Sequence, residues 1–549
     1  MTFLFYIPSM LKIKLTFLTF AISAFAQITC AQQVKLSKDV ANAMNTVDSA
    51  EIKADIKYLA DDKLLGRMPG TPGYRAAVDY VVDRLIGLKV LPAGEKGTWL
   101  QTVRLRKAIV HNTSLIAAGT VLPVRPADYV IYPNPSVPKI ESVGKVVFAG
   151  YGISQPALGY DDYAGIDVKG KVILVMRGTP DKFSSSVKAH VANTTTILKT
   201  AAKHGAIGVI MASADSAVRT LTPVNRGVYS VMDDQGKVAL SRSYYSDQIQ
   251  FFISAKYGLL KSFLGDEVQS IAKQLKDGTP HSFVMENAGV AVSYTSGYQD
   301  IVSYNIVGKI EGSDPKLKNQ YVVHSAHLDH LGIGVPVRGD SIYNGAHDNA
   351  SGVAGLLGIA KVYAHMKVKP KRSVLIVMVT GEEMGDLGSG YFALHPTIPA
   401  KSMVADVNTD MPTIIAPLLS ITALGAEHSS LAKQVDQAAG YLGISVEPDP
   451  EPAQARFTRS DQYSFVVNGI PALHVKYGNK TADGKNNLAE IVAPWRAKYY
   501  HKPQDDINGI FDFGSGKKYA QLNFLIGYLV AQDVKKPVWN TGDIFSTQQ

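Results

Sequence analysis

Residues able to bind divalent cations stand at the ends of apolar runs in the C-terminal half of this chain. His327 and Asp329 follow Tyr321 to Ala326, Glu382 and Glu383 follow Ser373 to Thr380, and Asp410 follows Met403 to Thr409. Asp348 lies in Gly345-Ala346-His347-Asp348-Asn349-Ala350-Ser351-Gly352, ahead of a helix-period segment, and His501 in Tyr500-His501-Lys502-Pro503-Gln504-Asp505-Asp506. Two imidazoles and several carboxylates without a thiol suit a pair of borderline divalent ions, zinc foremost, because a carboxylate can bridge two metals while histidine completes each shell. Each residue alone has a plainer explanation. An aspartate before a helix is more often an N-cap, a glutamate pair after a strand a solvated loop, and a lone histidine a hydrogen-bonded interior residue. What favours the metal reading is their recurrence at consecutive strand ends, and it points to a di-metal hydrolase.

The elements that must position these residues can be read from periodicity. After about Tyr304, apolar strands (Tyr321 to Ala326, Ser373 to Thr380, Met403 to Thr409, Ala472 to Val475) alternate with helix-period segments (Asn349 to His365, Ser429 to Leu442, Lys518 to Gln532). That alternation predicts an α/β fold with a mostly parallel central sheet flanked by helices, whose carboxyl ends gather ligands at one edge. Ser49 to Leu88 reads as two helices around the turn Arg67 to Gly73. Val121 to Val292 reads as a separate, strand-rich domain with one helix-like stretch near Thr195 to His204, and Asp533 to Gln549 as a surface tail.

The chain has 549 residues, 46% hydrophobic and 19% charged, which supports several packed domains and excludes a mostly disordered protein. Its net charge of +9 is too diffuse, and too poor in clustered Lys and Arg, for a nucleic-acid surface. Lys12 and Lys14, the apolar run Leu15 to Ala26 and the small residues up to Ala31 predict an export signal cleaved after Ala26 or Ala31. The run is short of the roughly 20 residues a membrane span needs, so no span is expected and the protein is placed in the periplasm or secreted. Cys30 is the single cysteine, and once it leaves with the signal, disulfides and thiolate chemistry are excluded. The expected division is signal 1–31, the first part of the main domain 32–120, the insert 121–292, the site-bearing part 293–532 and the tail 533–549.

Several motifs together carry a resemblance: Ser325 to His330, Gly345 to Gly352, Thr380-Gly381-Glu382-Glu383-Met384-Gly385, Asn408-Thr409-Asp410-Met411, Arg459-Ser460-Asp461 and Tyr500 to Asp506. These resemble the secreted di-zinc aminopeptidase family, which also holds glutamate carboxypeptidase and its relatives. Leu65 to Gly73 is similar to that family's N-terminal segment, and Phe148 to Ile153, Tyr160 to Tyr163 and Gly170 to Val175 to the α+β protease-associated domain often inserted in it. The resemblance implies a zinc exopeptidase-like fold and two zinc ions, one held by His327, Asp348 and Asp410 and the other by Asp348, Glu383 and His501, with Asp348 the bridge. It implies Glu382 as general base and Tyr500 as an oxyanion donor. Asp329 fits a carboxylate that takes the other ring proton of His327 and fixes its tautomer.

His347, Gln462 and Met411-Pro412-Thr413 depart from the family pattern without being ligands. His330 is expected beside the site, and His111, His204, His281, His395, His428 and His474 are expected to be ordinary structural or surface residues. The implied activity is hydrolysis of terminal peptide bonds by a hydroxide held between the metals, most simply as an aminopeptidase. Arg456 or Arg459 would instead suit a carboxypeptidase or dipeptidase that binds a terminal carboxylate. A non-catalytic binding ectodomain and a glutaminyl-cyclase-like acyltransferase are the remaining readings. Peptides are the expected partners, and oligomeric state is left open.

Overall fold

The computed structural model describes residues 35–120, 125–218, 220–221 and 227–547, so the expected export signal at 1–31 lies outside the described residues. Helix α1 (Ser49–Leu59) starts where Asp48 accepts the Ala50 N–H, and α2 (Pro72–Gly87) where Thr71 accepts that of Tyr74, with proline in the first turn. Tyr74, Ala77, Val78, Val81 and Leu85 give α2 one buried stripe. Strand β1 (Leu100–Ala118) then leads into the inserted half. There follow β2 (Lys139–Ala149), β3 (Val172–Met176), α3 (Ser185–Val191), α4 (Thr194–Lys203), β4 (Gly208–Ala212), β5 (Val228–Met232), β6 (Val238–Ser241), β7 (Phe251–Ala255), α5 (Tyr257–Leu264) and α6 (Val268–Lys276). Among the described residues of this stretch, four helices stand where the sequence pattern indicated one. All are ten residues or shorter, so their stripes, such as Val268, Ile271 and Leu275 in α6, span too few turns to establish a period.

Strand β8 (Ser282–Ile310) returns the chain to the C-terminal half. This half holds β9 (Tyr321–His327), α7 (Ser351–His365), β10 (Ser373–Val379), α8 (Leu387–Leu394), β11 (Met403–Asn408), β12 (Ser420–Leu424), α9 (Ala432–Tyr441), β13 (Ala472–Tyr477), α10 (Leu488–Tyr499) and α11 (Phe513–Gln532). Strands β10, β9, β11 and β13 are mutually parallel neighbours in that order, and every residue of β9 and β10 is buried, as expected for strands covered on both faces. The strands β2, β3, β4 and β7 form a second parallel run inside the insert. Both runs belong to one 16-stranded sheet, because β8 pairs antiparallel with β1 along most of its length, with β2 on the insert side and with β10 on the other. The insert is therefore hydrogen-bonded into the main sheet rather than set apart from it.

Two layers cover the site-bearing strands. On one face Ile56, Leu356, Leu357, Phe524 and Ile526 from α1, α7 and α11 share a core, and on the other Phe392, Tyr463 and Phe465 pack with Phe545. Phe545 corrects the expectation of a surface tail. It is fully buried against His190, His428 and Phe457, and Ser429 and Trp539 form a β-bridge. Isolated aromatics in a short polar stretch leave no periodicity from which docking can be read. No helix among the described residues is long and apolar enough to cross a membrane.

Candidate metal centre

Strand register brings the polar residues together. His327 lies opposite Val379 and Ser325 opposite Asn408, so Asp410, two residues past the end of its strand, comes level with His327, while Glu382 and Glu383 lie three and four residues past Val379. Asp348 arrives from a different direction, in the turn before α7. Gly345 takes φ +61 there, and a Cβ on it would lie 2.1 Å from the Asp348 carbonyl oxygen, so this close approach requires glycine. The Asp505 carboxylate accepts the N–H groups of His347 (2.9 Å) and Asp348 (3.0 Å), which pins the turn to the segment that carries His501.

The resulting geometry is a pair of ligand groups sharing one carboxylate. His327 Nε2 lies 3.3 Å from Asp348 Oδ1 and 3.4 Å from Asp410 Oδ1. His501 Nε2 lies 3.2 Å from Asp348 Oδ2 and 3.2 Å from Glu383 Oε2. His330 Nδ1 is 2.6 Å from Glu383 Oε1, and His330, Asp348 and Glu383 form a ligand-capable group of their own. His330, expected only beside the site, thus has its ring at the second group. Its position three residues past His327 was visible in the sequence, but the direction of the ring was not.

The residues fit a metal. His327 Nε2 and Asp410 Oδ1 are buried and face each other at 3.4 Å without a well-directed hydrogen bond, a costly state that a cation between them would relieve. Electrostatics agree. Burial alone would raise Asp348, yet His327 and His501 hold it well below the usual carboxylate range, and burial alone would lower His501, yet Asp348 and Glu383 lift it to about 10. The cluster is built around positive charge, which protons supply when no cation does. Imidazole nitrogens and carboxylate oxygens in these groups suit zinc.

Glu382 stands in neither ligand group. Burial, and then the charges of Glu383, Asp410 and Asp461 against that of His327, push its carboxyl well above the ordinary value. The Glu382 and Glu383 N–H groups donate to Asp329 Oδ1 (3.2 Å) and Oδ2 (3.4 Å). That corrects the expected role of Asp329. Its carboxylate is engaged by the turn and lies 3.9 Å from His327 Nδ1, which instead points at the Asp329 carbonyl oxygen at 3.2 Å. Tyr500 stacks on His501 with ring centroids 3.8 Å apart, and burial, then the negative charges of Asp348 and Glu383, push its hydroxyl up.

Of the departures, His347 turns away from the centre, bonding Ile510 O (3.0 Å) and stacking on Phe511 (4.0 Å). Gln462 accepts from Asn408 (2.8 Å), and Met411 N–H donates to Asn349 Oδ1 (3.1 Å), bracing the Asp348 turn. His474, expected to be a structural or surface residue, is buried and bonds the Asp410 carbonyl oxygen at 3.0 Å, joined by Lys476 Nζ at 2.6 Å. Arg67 is buried in the opening motif, where it donates to Leu328 O (2.9 Å), Asn344 O (2.6 Å) and Gly345 O (3.0 Å), tying together the loops that carry His330 and Asp348. Arg456, one of two candidates for binding a substrate carboxylate, is paired with Asp449 and Glu451, and Arg459 is exposed.

Residues 305–522 match peptidase family M28 and residues 142–241 the PA domain. The probable leucine aminopeptidase 2 of Aspergillus oryzae is 26% identical over 256 residues, 45% of this chain and 48% of that protein. Carboxypeptidase Q of Xenopus laevis is 33% identical over 119 residues, 21% of this chain and 23% of that protein. The chain thus spans about half, or less, of the length of these curated relatives. Among solved structures, the aminopeptidase from Aneurinibacillus sp. strain AM-1 aligns over 91% of this chain and 100% of its own, with a TM-score of 0.49 and 18% identity. With the candidate metal groups inside the matched region, the chain contains a peptidase family M28 domain with an inserted PA domain.

Proposed function

We propose that the protein is a two-zinc exopeptidase that releases N-terminal amino acids from peptides. The observation that carries this reading is the division of Asp348, whose two oxygens face separate ligand groups at 3.3 and 3.2 Å. His327, Asp348 and Asp410 would hold one zinc, and Asp348, Glu383 and His501 the other. Bound there, the ions would lower the pKa of water from ~16 toward ~7 and polarise the substrate carbonyl. Glu382, free of either group, takes the proton of the attacking water and passes it to the departing amine. Its raised proton affinity suits that exchange. The Tyr500 hydroxyl, kept protonated by its surroundings, donates to the oxygen that gains negative charge. Specificity for the amino end is supported by the commitment of Arg456 to its own acidic partners, which leaves it unavailable to a substrate carboxylate.

The second reading, a carboxypeptidase, draws on Arg496. Its guanidinium lies 4.0 Å from the centre of the Tyr500 ring and has no acidic partner among the described residues, so it can meet a terminal carboxylate. Zinc-loaded enzyme should cleave free dipeptides and peptide amides but not N-acetylated ones. Cleavage of N-acetylated peptides with loss of activity on amides would establish the second reading instead. Glu382→Gln should retain two zinc ions, counted by anomalous scattering, while kcat falls about 10²- to 10⁴-fold. Near-unchanged kcat in a metal-loaded sample would show that Glu382 is not the base.

A further inference from the structure

We propose that Arg242, supplied by the inserted half, is a positioning residue for the Glu382–Glu383 turn; this rests on the reading of Glu382 as the base. Two independent grips hold that turn. From the sheet side, Asp329 accepts the Glu382 and Glu383 N–H groups. From the other side comes Arg242, directly after β6. Its Nε donates to Gly385 O at 2.6 Å, and its guanidinium pairs with the Asp386 carboxylate. Gly385 and Asp386 in turn donate their N–H groups to Glu382 O at 2.7 and 2.9 Å, so Arg242 is one residue removed from the proposed base.

The fit depends on glycine. Gly385 has φ +112, and a Cβ there would stand 2.7 Å from Arg242 Cγ. Apolar contacts follow the same path, with Val231 and Leu240 of the insert packing with Met384, Leu387 and Tyr391. A carboxylate that must meet water and then the leaving nitrogen loses efficiency if its backbone drifts, and a displacement near 1 Å can cost about 100-fold. The insert therefore does more than border the site. It completes the scaffold of the base.

The Arg242 side chain also lines an open groove of about 740 Å³ between the two halves and is 38% exposed, so a small cation can replace it from solvent. Arg242→Ala should lower kcat about tenfold or more while KM and zinc content hold. Added guanidinium should restore part of the rate, and amide exchange at Gly385 to Leu387 should quicken in the unliganded protein. Arg242→Lys, which keeps the charge and loses the fork, should fall between the two and covers the case in which the alanine variant does not fold. Unchanged kcat in Arg242→Ala, or a loss of rate that tracks loss of zinc and ignores guanidinium, would overturn the proposal. Faster exchange at the turn alongside an active Glu382→Gln would keep the positioning role and reject Glu382 as base.

Discussion

Asp505 links the two least regular parts of the centre. Its carboxylate takes the N–H groups of His347 and Asp348 and its main chain takes that of Ala346, so Asp348 is held by the segment that carries His501. Burial raises the Asp505 carboxyl to about 6, against the pull of the two amides. Asp505→Asn would set an NH₂ group against one of those N–H donors and also remove a negative charge near the cations. Both effects act in the same direction. Zinc affinity, measured by competition with a chelator, should fall about 10- to 100-fold, and an unchanged affinity would mean that the turn holds itself. Of the proposed ligands, His327, Glu383 and Asp410 were legible because each follows an apolar run, and Asp348 and His501 because of the motifs they stand in. Asp505 was visible inside a motif but without a role, and His474, Lys476 and Arg67 act on main-chain carbonyls that only tertiary folding brings near them.

At the level of elements, regular strands and irregular turns divide the work. Parallel register alone aligns His327, Asp410 and the Glu382–Glu383 turn, and it follows from runs such as Ser373 to Val379 that have no polar face to expose. That part of the architecture could be read in advance. The turn before α7 could not, since its shape depends on Gly345 approaching the Asp348 carbonyl and the His330 ring, contacts no local pattern encodes. Gly345→Ala introduces a Cβ in a left-handed conformation with no room for it. Strain of that kind costs about 1 to 3 kcal/mol before the clash is counted. The variant should melt at lower temperature and bind less than its full complement of zinc. A fully loaded variant of native stability would show that the turn has an alternative path.

Over the whole molecule, the junction between insert and C-terminal half rests on a buried histidine. His190 of α3 places Nδ1 2.7 Å from the Tyr463 hydroxyl and packs edge-on against Phe545 from the docked tail, so three segments distant in sequence meet at one ring. Burial, aided by the positive charge of Lys199, lowers its pKa from 6.5 to about 4. A base whose affinity for protons drops on folding favours the unfolded chain in acid. Its contribution to stability is complete above pH 6.5 and is lost as pH falls from there toward 4, reaching about 2 kcal/mol by pH 5. His324, lowered to about 3 by burial beneath α7 and α11, adds to the same trend. His190→Asn keeps a polar atom near Nδ1 but does not titrate, so it should be somewhat less stable at pH 7 and lose less on going to pH 5. Denaturant unfolding of metal-free protein at the two pH values measures this, with metal removed so that proton competition at the proposed zinc ligands does not enter the comparison. Equal losses in wild type and variant would place the acid sensitivity elsewhere. A smaller loss in the variant would identify the contact between insert and C-terminal half, the same junction that Arg242 spans to the Glu382–Glu383 turn, as one source of the acid sensitivity.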